Sequence, residues 1–215
     1  MWSNHVHMSS GQAKQQQQQQ QEVQVRGARG PCGEYGAIGV MELKQDAKHV
    51  FEFMRRIEEQ PRWNPGVKLS QIVSKVANTT HVKQVLNWSF LALRGDFNMN
   101  LAMHEEPQQL RIRTELLQGS MMRRFSSSVG VTHTGPGACR LTMDLYMQPT
   151  VPVPFGIRGM VGHQVRRQLH GVMEKIKSTV EDEQPRRRSF AERCCDVSAL
   201  QNALQSHPLD ISVWG

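Results

Sequence analysis

Residues 155–183, "FGIRGMVGHQVRRQLHGVMEKIKSTVEDE", run for about eight helical turns without a proline. Ile157, Met160, Val161, Val165, Leu169, Val172, Met173, Ile176 and Val180 recur at steps of mostly three and four residues. Arg158, Arg166, Arg167, Lys175 and Lys177 take the other side. Such spacing is an amphipathic helix with one apolar stripe, and a stripe of that length needs a surface to lie on. The chain upstream must supply it.

The supply is a series of segments with period two. "FNMNLAMH" (97–104) sets Phe97, Met99, Leu101 and Met103 against Asn98, Asn100 and His104. "CRLTMDLYM" (139–147) sets Leu141, Met143, Leu145 and Met147 against Arg140, Thr142 and Asp144. The same alternation runs through "KLSQIVSKV", "TTHVKQVLNWSFLAL", "LRIRTEL" and "GSMMRRFSSSVGV", with an apolar opening run "GAIGVMELKQ" before them. Side chains alternate along a strand, so these segments predict seven antiparallel strands with one wet and one apolar face. Helix and sheet then cover each other in an α+β layer architecture.

Between the first and second strands lies "KHVFEFMRRIEEQPRWNPGVK" (48–68). Val50, Phe51, Met54 and Ile57 share one helical face, and Asp46 is placed to cap that helix. Trp63 then sits in a charged turn before Asn64-Pro65-Gly66. Its two readings are a wedge between helices and sheet, or a contact to a ligand beneath.

Composition bounds the rest. The chain has 215 residues, 38% of them hydrophobic, which fits one domain with tails. There is no run of about 18 apolar residues and no secretory opening is visible. Four cysteines at 32, 139, 194 and 195 form neither a disulfide framework nor a CxxC pair, so reduced thiols in an intracellular compartment are expected. The net charge of +7 divides into +5 over residues 37–183 (19 basic, 14 acidic) and +2 in the tails (7 basic, 5 acidic). So thin a spread describes a solvated surface and no specific nucleic-acid partner.

Residues 1–36 carry Gln15–Gln21 unbroken and the breaker-rich "RGARGPCGEYG", and are expected to be disordered. Their low acid content faintly suits a plastid or mitochondrial transit peptide; otherwise the cytoplasm is expected. Pro185 is expected to stop the long helix, leaving 184–215 as a flexible basic tail whose "PRRR" is too short for a nuclear signal or a firm lipid contact.

The order strand, two short helices, six strands, long C-terminal helix resembles the START-like helix-grip superfamily. "KQDAKHVFEFMRRIEEQPRWNPGVKLSQIV" is similar to the opening of the polyketide cyclase/dehydrase and coenzyme Q-binding START-type families, and "LLQGSMMRRF" and "MQPTVPVPFGI" to later segments. The resemblance covers about residues 37–183. It implies a curled sheet gripping the helix around a cavity, and a lipid, isoprenoid quinone or polyketide-like aromatic as ligand.

On that geometry the wall is Trp88, Phe90, Met99, Leu101 and Met103 from the middle strands, with Met121, Phe125, Met143 and Leu145 from the later ones. Met160, Val161 and Gln164 face them from the helix, and Trp63 and Met160 stand at the mouth. Methionine suits an adaptable wall, though it also fills irregular cores. Alternation puts Arg123 inside with Met121 and Phe125; either it meets a polar ligand group or a bulge turns it to solvent. His163 and His170 share a helix face with arginines and His81 points outward. No catalytic set, zinc spacing or phosphate loop is present, so no metal or cofactor is expected. Hydrophobic ligand binding or transport is the leading function, with transient membrane-surface contact left open. A cyclase/dehydrase-type enzyme is the alternative, and a ligand-free protein-interaction module the second.

Overall fold

The computed structural model describes the backbone of residues 22–90 and 93–205 and the side chains of 22–87 and 95–183. Its strands are β1 Gln24–Arg29, β2 Tyr35–Leu43, β3 Val67–Val76, β4 Thr79–Phe90, β5 Leu93–Glu106, β6 Arg111–Gly119, β7 Met122–Gly135 and β8 Ala138–Pro149. They form one antiparallel sheet in the order β1-β2-β8-β7-β6-β5-β4-β3. Helix α1 is Ala47–Arg55, a 3-10 helix spans Ile57–Arg62, and helix α2 is Arg158–Gln205.

Local chemistry explains the boundaries. Asp46 caps α1, its carboxylate accepting from the backbone N–H groups of Lys48 (2.9 Å) and His49 (3.3 Å). After Trp63, the Asn64 side-chain oxygen accepts from Gly66 N (3.1 Å) and its carbonyl from Val67 N (2.9 Å), which turns the chain into β3. Pro136-Gly137 joins β7 to β8, with Gly137 at φ +64 in the left-handed region that the second turn position requires.

The sheet has eight strands where the sequence predicts seven, and the difference lies in the segment expected to be disordered. Within 1–36, residues 24–29 pair with β2 from Gln24↔Val40 to Arg29↔Tyr35. Val23 is buried, Val25 packs on the core and Ala28 is half-buried, while Gln24, Arg26, Gly27 and Arg29 of this edge strand face solvent. Glu34 closes its turn: the carboxylate accepts from Cys32 N (2.9 Å) and lies 3.3 Å from Arg124 Nη1. Its own backbone N–H, then the Cys32 N–H and the Arg124 guanidinium, hold it below the usual carboxylate range against the opposing effect of burial.

The second correction concerns Pro185, which does not stop the helix: α2 continues through it to Gln205. An internal proline removes one donor and crowds one turn at a cost of about 3 kcal/mol. Glu181, Glu183 and Gln184 before it and Arg186 to Arg188 after it are helix formers, and the helix continues.

The predicted faces hold on most strands but not on β3, where Leu69, Ile72, Val73 and Val76 are exposed and only Val67 and Ser70 are buried. Ala37, Met41 and Leu43 on β2, Met99, Leu101 and Met103 on β5, and Cys139, Leu141 and Met143 on β8 are buried. Val165, Leu169, Val172, Met173, Ile176 and Val180 form the buried stripe of α2. That stripe lies mainly against β2 and β1. The approach is tight at one point, where a Cβ on Gly39 would fall 2.1 Å from Met173 Sδ and 3.4 Å from Leu169 Cδ2. Arg56 and Arg62 add ion pairs to Glu183 of α2 at 3.3 and 3.8 Å.

Gly39→Val should therefore destabilise the domain by about 1–3 kcal/mol through overpacking. Met173→Ala should cost about 2–5 kcal/mol through a cavity. Combined, the two should cost less than the sum, because each relieves the other. Urea unfolding of the four proteins measures this coupling; strict additivity would mean the helix does not seat here.

Candidate functional site

Where α2 leaves β2, its N-terminal turns stand away from the remaining strands and leave a cavity of about 650 Å³. Five regions build its wall. The sheet contributes Leu86, Phe97, Met99, Met122, Phe125 and Met147. The end of β8 and the segment after it contribute Pro149, Val151, Pro152, Val153 and Pro154. Ile157, Val161, Gln164, Val165, Arg167 and Gln168 come from the start of the helical region, ahead of Gly171. Pro65 and Gly66 of the turn after Trp63, and Asn87 of β4, complete it together with Met121.

The sheet side of this wall is a hydrophobic cluster separate from the main core. Phe97, Met99, Leu101 and Met122 are buried there, with Leu86, Leu116, Phe125 and Met147 packed against them. The main core lies beyond, around α1, β2, β8 and the middle of α2.

Of the predicted wall residues, Met99, Met121, Phe125, Val161 and Gln164 line the cavity. Leu101 is buried in the same cluster but behind the wall. Met103 and Met143 belong to the main core, and Leu145 packs against it. Met160 is half exposed and lies outside the wall, although its neighbour Val161 lines it. The side chains of Trp88 and Phe90 lie outside the described residues.

Arg123 is exposed. The β7–β8 register steps from Met122↔Pro149 to Arg124↔Gln148, so Arg123 is the extra residue of a bulge and turns outward. That shift also brings Met122 inward, a lining residue the alternation missed. The residues between Pro149 and Pro154 were missed for a different reason, since a proline-rich connection shows no periodicity. Their apolar composition was the available signal.

Trp63 is only 3% exposed and lines the core, not the cavity. It follows the last turn of the 3-10 helix, its backbone N–H donating to the Gln60 carbonyl (3.1 Å), and its ring lies 6.1 Å from Phe53. It is the wedge, with Pro65 and Gly66 forming the wall beside it.

Among the described residues the wall holds no carboxylate, imidazole, thiol or hydroxyl side chain. His81, His163 and His170 are exposed. Cys139 is buried in the main core, where desolvation, then the charges of Asp46 and Glu42, push its thiol up to about 11. It is a packing residue, held as the unreactive thiol. Glu105 is buried and carries ion pairs to Arg55 (2.6 Å) and Lys75 (3.3 Å), and it too lies outside the wall.

This is a helix-grip domain built around a largely apolar cavity. Residues 40–181 match the family model described as polyketide cyclase/dehydrase and lipid transport, and the chain belongs to that family. Solved structures share its fold. A START superfamily protein from Mycobacterium smegmatis aligns with TM-score 0.60 and 20% identity, over 70% of this chain and 99% of that one. The Zhui aromatase/cyclase from Streptomyces sp. R1128 aligns with TM-score 0.59 and 11% identity, over 74% and 94%. A STAR-related lipid transfer protein from Xanthomonas axonopodis gives 0.58 and 12%, over 74% and 93%. Comparison with curated proteins finds no match.

Because Trp63 is core, Trp63→Ala should cost about 3–5 kcal/mol of stability. Ligand bound per folded molecule should stay unchanged. Thermal melts alongside titration of the folded fraction separate the two. A loss of binding at full stability would return Trp63 to the site.

Proposed function

We propose that this protein binds and carries a hydrophobic small molecule in the cavity between sheet and helix. The observation that carries the reading is the cavity itself: about 650 Å³ walled by aliphatic, aromatic and methionine side chains. Ligand pockets of roughly 300–1,000 Å³ with few, localised polar groups are the usual shape of a small-molecule site. At roughly 30 Å³ per water-sized group, the space holds about twenty such groups, the size of a single-chain lipid, a short isoprenoid quinone or a polycyclic aromatic. The family's description, polyketide cyclase/dehydrase and lipid transport, supports the lipid and polyketide-like members of that range.

The cyclase/dehydrase alternative requires a group that moves protons near neutral pH. Arginine stays protonated and amides do not titrate, so the described wall offers no such group. The interaction-module alternative requires a filled core, which the cavity argues against. Carrier is the reading that fits the wall.

Loading from a membrane surface fits the rim. Val151 is in the wall and exposed, Phe155 beside Pro154 is 86% exposed, and Met160 beside Val161 is half exposed. Arg158 lies 5.3 Å over the Phe155 ring, an amphipathic pair suited to the boundary between lipid chains and headgroups.

Uptake of Nile red, a neutral apolar probe, tests the cavity. The full chain should bind it, and Val161→Trp, which fills the space, should weaken binding by about tenfold or more, about 1.4 kcal/mol. The melting temperature should hold. Equal binding by both proteins would place the probe elsewhere and remove the reading.

The rim has its own test. Phe155→Ser should lower co-sedimentation with anionic phosphatidylcholine/phosphatidylserine vesicles several-fold and leave Nile red affinity in solution unchanged. Unchanged sedimentation would confine the protein to aqueous exchange.

A further inference from the structure

The polar groups of the cavity are gathered at one end. Asn87 N donates to the Gly66 carbonyl (2.8 Å), so strand β4 and the turn after Trp63 meet there. A Cβ on Gly66 would fall 2.9 Å from Gln168 Nε2, so α2 closes on the same point. Gln164 and Arg167 share that stretch of helix. The sheet wall opposite is Met99, Met122, Phe125 and Met147. A cavity with one polar end and one apolar end suits an amphiphile better than a wholly apolar molecule.

Arg167 gives that end a charge. It is the one ionisable residue in the wall among the described residues. Nearby arginines are already engaged: Arg158 Nε donates to the Val153 carbonyl (3.4 Å), Arg166 lies 2.9 Å from His163 Nδ1, and Arg124 pairs with Glu34 at 3.3 Å. Arg167 has no hydrogen-bond or ion-pair partner among the described residues, and no wall carboxylate competes for it. A guanidinium at the rim presents a planar fork of donors that matches a carboxylate.

We propose that the ligand is an amphiphile with a single carboxylate head, and that Arg167 is the residue that selects it. This rests on the carrier reading above. The head would lie at Arg167 with Gln164 and Gln168 supplying amide hydrogen bonds, and the chain or ring system would lie over the methionine-rich sheet cluster.

The experiment pairs a pyrene-labelled long-chain fatty acid with the matching pyrene-labelled fatty alcohol, titrated into the full chain at pH 7. The wild type should bind the acid about tenfold more tightly than the alcohol, the worth of one charge-assisted hydrogen bond. Arg167→Gln should abolish that preference by weakening the acid far more than the alcohol, while Arg167→Lys should keep part of it. Equal affinity of the wild type for both probes, or a preference that survives in Arg167→Gln, overturns the proposal and leaves the carrier reading standing. Binding of neither probe by the wild type overturns both.

Discussion

Everything about the site depends on how closely α2 can approach β2. At Gly39 the missing side chain is the space that Met173 occupies, with its sulfur 2.1 Å from where a Cβ would stand. That contact seats the middle of the helix on the β1–β2 edge of the sheet. A straight helix seated at one edge of a twisted sheet cannot also follow the strands at the other. Its N-terminal turns therefore part from β4, β5 and β7, and the gap between them is the cavity. Tight packing at one end and open space at the other are one geometric fact.

Most of the fold was legible because its signals are local. Period-two alternation placed the strands after residue 36 within a few residues, and the three-and-four spacing placed the helix over its buried stripe. Strand β1 was not legible. "QVRGAR" has one buried-facing valine, a glycine and two arginines, and it is held by pairing along β2. A strand that owes its existence to a partner's edge carries little pattern of its own. Pro185 misled in the opposite direction, since a strong local breaker was overridden by helix formers on both sides.

The site was legible only in part, for a related reason. Alternation says which face a residue takes, but not which portion of that face the helix covers. Met103 and Met143 point inward as expected and end in the main core, whereas Met99 points inward and meets the cavity. Two bulges then shift the count. One is on β6, where the pairing steps from Asn100↔Gln118 to Leu101↔Leu116 and leaves Leu117 as the extra, exposed residue. The other turns Arg123 out and Met122 in. Bulges of this kind bend strands around a curved sheet, and no single position in the sequence announces them.

The wall also had to solve a problem of its own. An irregular segment beside an apolar cavity exposes backbone N–H groups with nothing to bond, and each buried orphan is costly. A helix or strand avoids this by internal pairing, but the connection from β8 to α2 is neither. Three of the ten prolines in the chain stand in this stretch of the wall, at 149, 152 and 154, and each lacks a backbone donor. Thr150, between two of them, donates its N–H to the Met121 carbonyl at 2.9 Å and so turns its donor away from the space. The proline run that ends the strand pattern is therefore what lets a loop serve as an apolar surface. With few backbone donors on that side, polar recognition falls to the helix residues Gln164, Arg167 and Gln168. The prolines thus bias the loop wall toward the apolar part of a ligand and the helix toward its polar part.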